Sequence, residues 1–155
     1  MPGPSADLSA NPHGLAIDIG TTTLVFYLVN LITGSIVETR AILNPQAKYG
    51  ADVISRIQYT AEHKDGSRIL QKVIINAINQ ELAHLINFAL ITKNEIIKVV
   101  VAGNTTMLHL LLGVNPISLA IAPYKAQFTE EQILRGEELE LNCFPGAEIK
   151  ILPSI

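Results

Sequence analysis

The sequence has no tryptophan, one cysteine and 5% aromatic residues, and charged residues make up only 16% of its 155 positions. With Cys143 alone, an internal disulfide is impossible, and an iron–sulfur cluster or zinc site ligated by cysteines of this chain is excluded by counting. Such cysteine usage fits a reducing, cytoplasmic setting. No cluster of lysine and arginine exceeds isolated pairs and the formal net charge is -3, which sets aside nucleic acid and membrane surfaces as partners. No apolar run reaches the roughly 18 residues of a membrane span, and the opening MPGPSADLSANPHG lacks the basic-then-apolar order of a secretory signal. Residues 1–13 read as a flexible leader.

What is present is aliphatic: 48% of the residues are hydrophobic, in a chain of the length of one domain. Leu15 to Ile19 and Leu24 to Val29 are continuous apolar runs, the pattern of interior strands covered on both faces. The short link GTTT makes them an antiparallel hairpin, and SIVETRAIL, after a turn at Gly34, adds a third strand nearer the edge. Asn44-Pro45 and Gly50 then give turns, followed by a helix from about Ala51 to His63 that stops near Gly66. Apolar residues at three- and four-residue steps from Leu70 to Ala89 predict an amphipathic helix of about six turns. IIKVVVA is a buried strand leading through GNTT into a helix that Gly113 and Pro116 end. Beyond Ser118 the pattern weakens: PYKAQF reads as extended, TEEQILRGEELEL as a short helix running into a strand, FPGAE as a turn and IKILPSI as a strand. The sum is an α/β domain, residues 14–155, with a mixed sheet in which a three-stranded antiparallel meander precedes helix-linked parallel strands.

Two stretches carry polar groups where bulk and charge are least welcome. Asp18 alternates with Ile17 and Ile19 near the end of an interior strand, where an ionised carboxylate is costly without a cation or donor close by. Gly20 permits a sharp turn and close approach, and Thr21, Thr22 and Thr23 add hydroxyls and amides; such a tip can hold phosphate oxygens while the carboxylate holds magnesium through water. The plainer account is a carboxylate bonded to turn amides beside ordinary β-forming threonines. The second stretch is Gly103-Asn104-Thr105, where a strand gives way to a helix. Asn104 there is either a helix cap or part of an anion site at the carboxyl end of a strand.

Together these stretches resemble the actin-like ATPase superfamily, whose ribonuclease-H-like fold opens with a phosphate-binding hairpin matched here by Asp18, Gly20, Thr21 and Thr22. GLAIDIGTTTLVFYLVNLITG, NPQAKYGADVISRI and VVVAGNTTMLHLLLG look more specifically like the ATPase region of the reductive activators of corrinoid-dependent enzymes, over most of residues 14–155. The resemblance implies ATP-driven delivery of a low-potential electron that returns Co(II) corrinoid to Co(I). It implies ATP and magnesium as cofactors, with Asp18 organising the ion and Gly20 to Thr23 cradling the β and γ phosphates. Gly103, Asn104 and Thr105 would approach the γ-phosphate, where orienting water is the useful role. Cysteine-rich cluster-binding parts, a second phosphate loop and an adenine-binding half are not in this sequence, so it reads as the first lobe of a two-lobed ATPase. The expected partners are the remainder of that ATPase and a corrinoid protein, with a homodimer possible. The competing readings are a sugar or carboxylate kinase lobe and a non-catalytic actin-like module for dimerisation or docking.

Asp52, Ser55 and Arg56 admit two accounts: helix-start charge with an i,i+4 solvent pair, or a segment, Asn44 to Arg56, facing the corrinoid partner or the other lobe. His13 falls in the leader, His63, His84 and His109 lack metal-ligand spacing, and Cys143 beside Phe144 and Pro145 reads as a buried or turn thiol. A lobe that supplies one wall of a cleft preorganises little, so this chain alone should bind ATP no tighter than about millimolar, roughly -4 kcal/mol. Calorimetry giving a micromolar constant would contradict that expectation.

Overall fold

The computed structural model describes residues 10–154. Strands β1 (His13–Ile19), β2 (Thr23–Asn30) and β3 (Ile36–Leu43) form the antiparallel meander. Helices α1 (Val53–Glu62) and α2 (Gly66–Ala89) cross over to β4 (Ile96–Gly103), which is followed by α3 (Thr105–Leu111), β5 (Gln132–Arg135) and β6 (Glu148–Ile151). The sheet order is β3-β2-β1-β4-β6-β5; β4 runs parallel to both β1 and β6, and β5 closes the far edge antiparallel to β6. A parallel neighbour cannot be reached by a tight turn, which is why two helices separate β3 from β4.

Register decides which side chains share a face. Leu15, Ile17 and Ile19 lie opposite Leu28, Phe26 and Leu24, and beside Val99 and Val101 of β4, which in turn align with Ile149 and Ile151 of β6. All of these are at most 2% exposed. The face they form is covered by α2, whose Leu70, Ile74, Ile78, Leu82 and Leu85 recur at helical spacing and are fully buried. Arg40 of β3 reaches across to Glu81 of α2, an ion pair at the margin of this core. Among the described residues no helix is long and apolar enough to cross a membrane.

Several details depart from expectation. The interior strands are not covered on both faces: Leu24, Phe26 and Leu28 are buried, but Val25, Tyr27 and Val29 on the reverse face are half-buried, and Ile36, Leu43 and Ile133 are 59%, 75% and 54% exposed. Their apolar character conceals a period of two that polarity alone would have shown. His13 belongs to β1, where it is buried and its Nδ1 pairs with the Asn11 carbonyl, so within the described residues the leader stops short of it. Gly66 opens α2 instead of ending a segment, because a Cβ there would lie 2.7 Å from Thr60 Cα and only glycine lets the two helices meet so closely.

The weak stretch after Ser118 is where the helix assignment fails. TEEQILRG yields β5, with no helix, and the following EELEL is a run of turns. Gly136 explains the reversal: a Cβ would sit 2.7 Å from both Cys143 Sγ and the Phe144 carbonyl, and the Arg135 amide donates to Glu138 Oε1 at 2.8 Å. PYKAQF does not extend but turns about a cis Ala122–Pro123 peptide.

The one-sided core has a direct test. Ile78→Ala should lower the unfolding free energy by about 2–5 kcal/mol, while Ile36→Ala on the reverse face should stay within about 0.5 kcal/mol. Urea unfolding of the two variants checks the contrast; equal losses would show that the reverse face is packed.

Candidate functional site

Parallel pairing of β1 with β4 sets Ile19 beside Gly103, so both strands run out at the same edge and their next residues are Gly20 and Asn104. Closure of the hairpin tip comes from Gly20, whose amide donates to the Thr23 carbonyl at 2.9 Å. A Cβ on Gly20 would lie 2.6 Å from that oxygen, so no other residue closes the turn without displacement.

Behind the tip, three consecutive carbonyls are taken by donors. The Gly20 oxygen accepts from Asn44 Nδ2 at 2.9 Å, the Thr21 oxygen from Arg56 Nη2 at 2.6 Å, and the Thr22 oxygen from the Asn44 amide at 2.7 Å. With their carbonyls so held, the amides of Thr21 and Thr22 donate to no acceptor among the described residues. Free amides on a tight turn, with half-exposed Thr21 and exposed Thr22 beside them, are the chemistry that receives an anion.

Asn104 takes the helix-capping role and also touches the hairpin tip. Its Oδ1 accepts from the Met107 amide at 2.9 Å, capping α3, while its Nδ2 donates to Thr21 Oγ1 at 3.2 Å. The two polar stretches are therefore in direct contact. Thr105 Oγ1 donates to Ser154 Oγ at 3.1 Å, and Gly103 packs so tightly against β1 that a Cβ would lie 3.1 Å from the Ile19 carbonyl. Thr23 is the first residue of β2 and contributes the carbonyl that closes the turn.

Asp18 corrects an expectation. Its side chain is exposed on the reverse face of the sheet, where the backbone pairs between Val25 and Ala102, and no described residue bonds to its carboxylate. It needs no internal partner because water reaches it, and it remains available to a cation. Arg56 corrects another in the opposite sense. Asp52 caps α1 by a reciprocal box with Ser55, the Ser55 amide holding its carboxyl below the usual range, but Arg56 forms no solvent pair with it. Arg56 is 0% exposed, with Nε on the Gly50 carbonyl at 2.8 Å and Nη1 against Met107 Sδ at 3.4 Å. Asn44, read in the sequence as turn chemistry and as the start of a segment facing the corrinoid partner or the other lobe, is also buried. For Arg56 a signal existed: Val53, Arg56, Ile57 and Thr60 share the inward stripe of α1, and the arginine stands on the apolar side.

Comparison with known proteins decides the kinship. The sequence pattern of the RACo middle region matches residues 13–155. The chain belongs to this family. It is 31% identical over 150 residues to the corrinoid activation enzyme RamQ of Eubacterium limosum, covering 97% of this chain and 25% of RamQ. The solved structure of a reductive activator for a corrinoid, iron–sulfur protein superposes with a TM-score of 0.91 at 39% identity, over 94% of this chain and 23% of the activator. The chain thus spans about a quarter of the length of these relatives, and it shares its fold with the matching part of the solved activator.

The cysteine and the histidines other than His13 are placed as follows. Cys143 is buried, which pushes its thiol up to about 11. His63 stacks on Tyr59 at 4.0 Å, and His84 lies on the exposed side of α2. His109 is buried on α3, its Nδ1 donating to the Thr105 carbonyl at 2.8 Å and its Nε2 accepting from the Gln127 amide at 3.0 Å, with Phe128 stacked on the ring. An acceptor Nε2 must be unprotonated, and burial holds the imidazole pKa below its ordinary 6.5. The unfolded chain therefore binds the proton more tightly, so His109 contributes stability above pH ~6.5 that is lost progressively as pH falls below it. Urea midpoints should decline from pH 7 to pH 5 in the natural chain and decline less in His109→Gln; parallel slopes would exclude His109 as the source.

Proposed function

We propose that this chain is the first lobe of the nucleotide-binding unit of an ATP-dependent activator that restores a corrinoid protein to its Co(I) state. The observation carrying the proposal is the contact of Asn104 Nδ2 with Thr21 Oγ1, which joins the two polar stretches at the carboxyl ends of β1 and β4. Ligands of open α/β sheets gather at such ends. The names of RamQ and of the solved activator support the corrinoid part of the reading.

The residues fit magnesium and a polyphosphate. Asp18 offers an exposed oxygen-donor carboxylate of the kind that holds magnesium through its water shell. Gly20 keeps the tip free of bulk, and the amides of Thr21 and Thr22 supply donors for phosphate oxygens. The Thr21 and Thr22 hydroxyls extend that donor set, while Thr23 keeps the turn closed. Asn104 and Thr105 flank the tip from the neighbouring strand end, where an amide and a hydroxyl can orient water. When bound, magnesium neutralises phosphate charge and makes the terminal phosphoryl group easier to transfer. Held from behind by Asn44 and Arg56, the tip presents these donors without reorganising.

Asp18→Ala tests the assignment in a protein of the relatives' full length. ATP-dependent reactivation of the corrinoid partner should fall by about 100-fold or more. The urea midpoint should not move, because the carboxylate is exposed and unpaired. Retained reactivation would remove Asp18 from the site.

A further inference from the structure

Arg56 is a full positive charge in the interior with no carboxylate at salt-bridge distance. The ion pairs among the described residues are Arg40–Glu81, Lys98–Glu148 and Lys150–Glu131. Its contacts are the Gly50 and Thr21 carbonyls and the Met107 thioether, which accept hydrogen bonds but carry no net charge. Asp52 is the acidic group whose field it feels, and that carboxylate is exposed and occupied in capping α1. Burial of an arginine so poorly compensated is costly, and burial accordingly depresses its pKa. A neutral side chain of the same length would be the cheaper way to fill the space.

We infer that Arg56 is a positioning residue whose missing counter-ion is the polyphosphate bound on the other side of the hairpin tip. The inference rests on the nucleotide-site reading above and deepens it. Two effects act through one hydrogen bond. Nη2 pulls the Thr21 carbonyl to the back of the tip, fixing the peptide plane whose N–H belongs to Thr22, the next residue along. The guanidinium charge then adds to the field at the front, in a medium that screens it less than water does. The tip thereby discriminates by ligand charge: phosphate groups are favoured and an uncharged nucleoside gains nothing from Arg56. Because Nε holds the Gly50 carbonyl, the same side chain also ties the turn before α1 to the tip.

The experiment is a titration of the chain with magnesium tripolyphosphate at constant ionic strength, followed by the amide resonances of Gly20 to Thr23 and the Nε–H resonance of Arg56. Adenosine serves as the uncharged control. In the natural chain the tip amides and the Arg56 Nε–H should move together and saturate with tripolyphosphate. Arg56→Met should weaken that binding by about tenfold or more, and Arg56→Lys, which keeps the charge but not the fork, by about threefold. Adenosine should produce no shift of the Arg56 Nε–H.

Equal tripolyphosphate affinity in Arg56→Met and the natural chain would overturn the inference while leaving the nucleotide site standing. So would equal weakening in Arg56→Lys and Arg56→Met, which marks a purely structural role. If Arg56→Met does not fold, a stationary Nε–H in the natural chain while the tip amides saturate overturns it equally. Tip amides that ignore tripolyphosphate altogether would remove the nucleotide-site reading, and this inference with it.

Discussion

The parallel pairing of β1 with β4 is the constraint on which the rest of the molecule depends. It places two strands that are some eighty positions apart in the chain side by side and brings them to an end together, Ile19 against Gly103. Had β4 joined antiparallel, Asn104 and the hairpin tip would lie at opposite ends of the sheet. The crossover that parallel pairing requires is supplied by α1 and α2, and α2 repays its length by covering the buried face of the strands. The entropy of so long a connection is offset by the apolar area it hides. Fold and site are therefore one consequence of one strand register.

The tip itself is built from the rear. A hairpin link of so few residues has carbonyls that need partners, and here they find them in Asn44, from the segment between β3 and α1, and in Arg56, from the first turn of α1. That segment is short of charge and rich in turn residues, so its rigidity comes from local devices: the Asn44 side chain bonds the Gln46 amide, and Asp52 and Ser55 cap α1 reciprocally. Gln46, fully buried beside them, spends its Nε2 on the Leu70 carbonyl and so anchors the turn to α2. From the site outward, each layer is positioned by a layer behind it.

Much of this was legible in the sequence. The long helix from Leu70 to Ala89, the meander, the β4 strand and the turn into α3 are all set by strong periodicity or by glycines at their ends, and local signals suffice there. The meeting of Thr21 with Asn104 was implied once the fold was known. Three things were not legible for physical reasons. Continuous apolar runs in β1 and β2 hide which face is covered, because Val25, Tyr27 and Val29 are as apolar as the buried Leu24, Phe26 and Leu28. The edge strand β5 carries a helix-like composition, and its conformation is decided by pairing with β6 and by the crowding at Gly136. Arg56 looked like one half of a surface pair because Asp52 stands four residues before it; only its neighbours Val53, Ile57 and Thr60 hinted that this side of α1 faces inward.

The single thiol gives the molecule a practical property. Cys143 is 1% exposed and its thiol is raised to about 11 by burial, so at pH 7 the reactive thiolate is on the order of one part in ten thousand. A new cysteine placed on the surface would react with maleimides long before the native one did. Spectroscopic probes can thus be attached at a chosen point, the hairpin or the reverse side of the sheet, without first deleting a residue from the core.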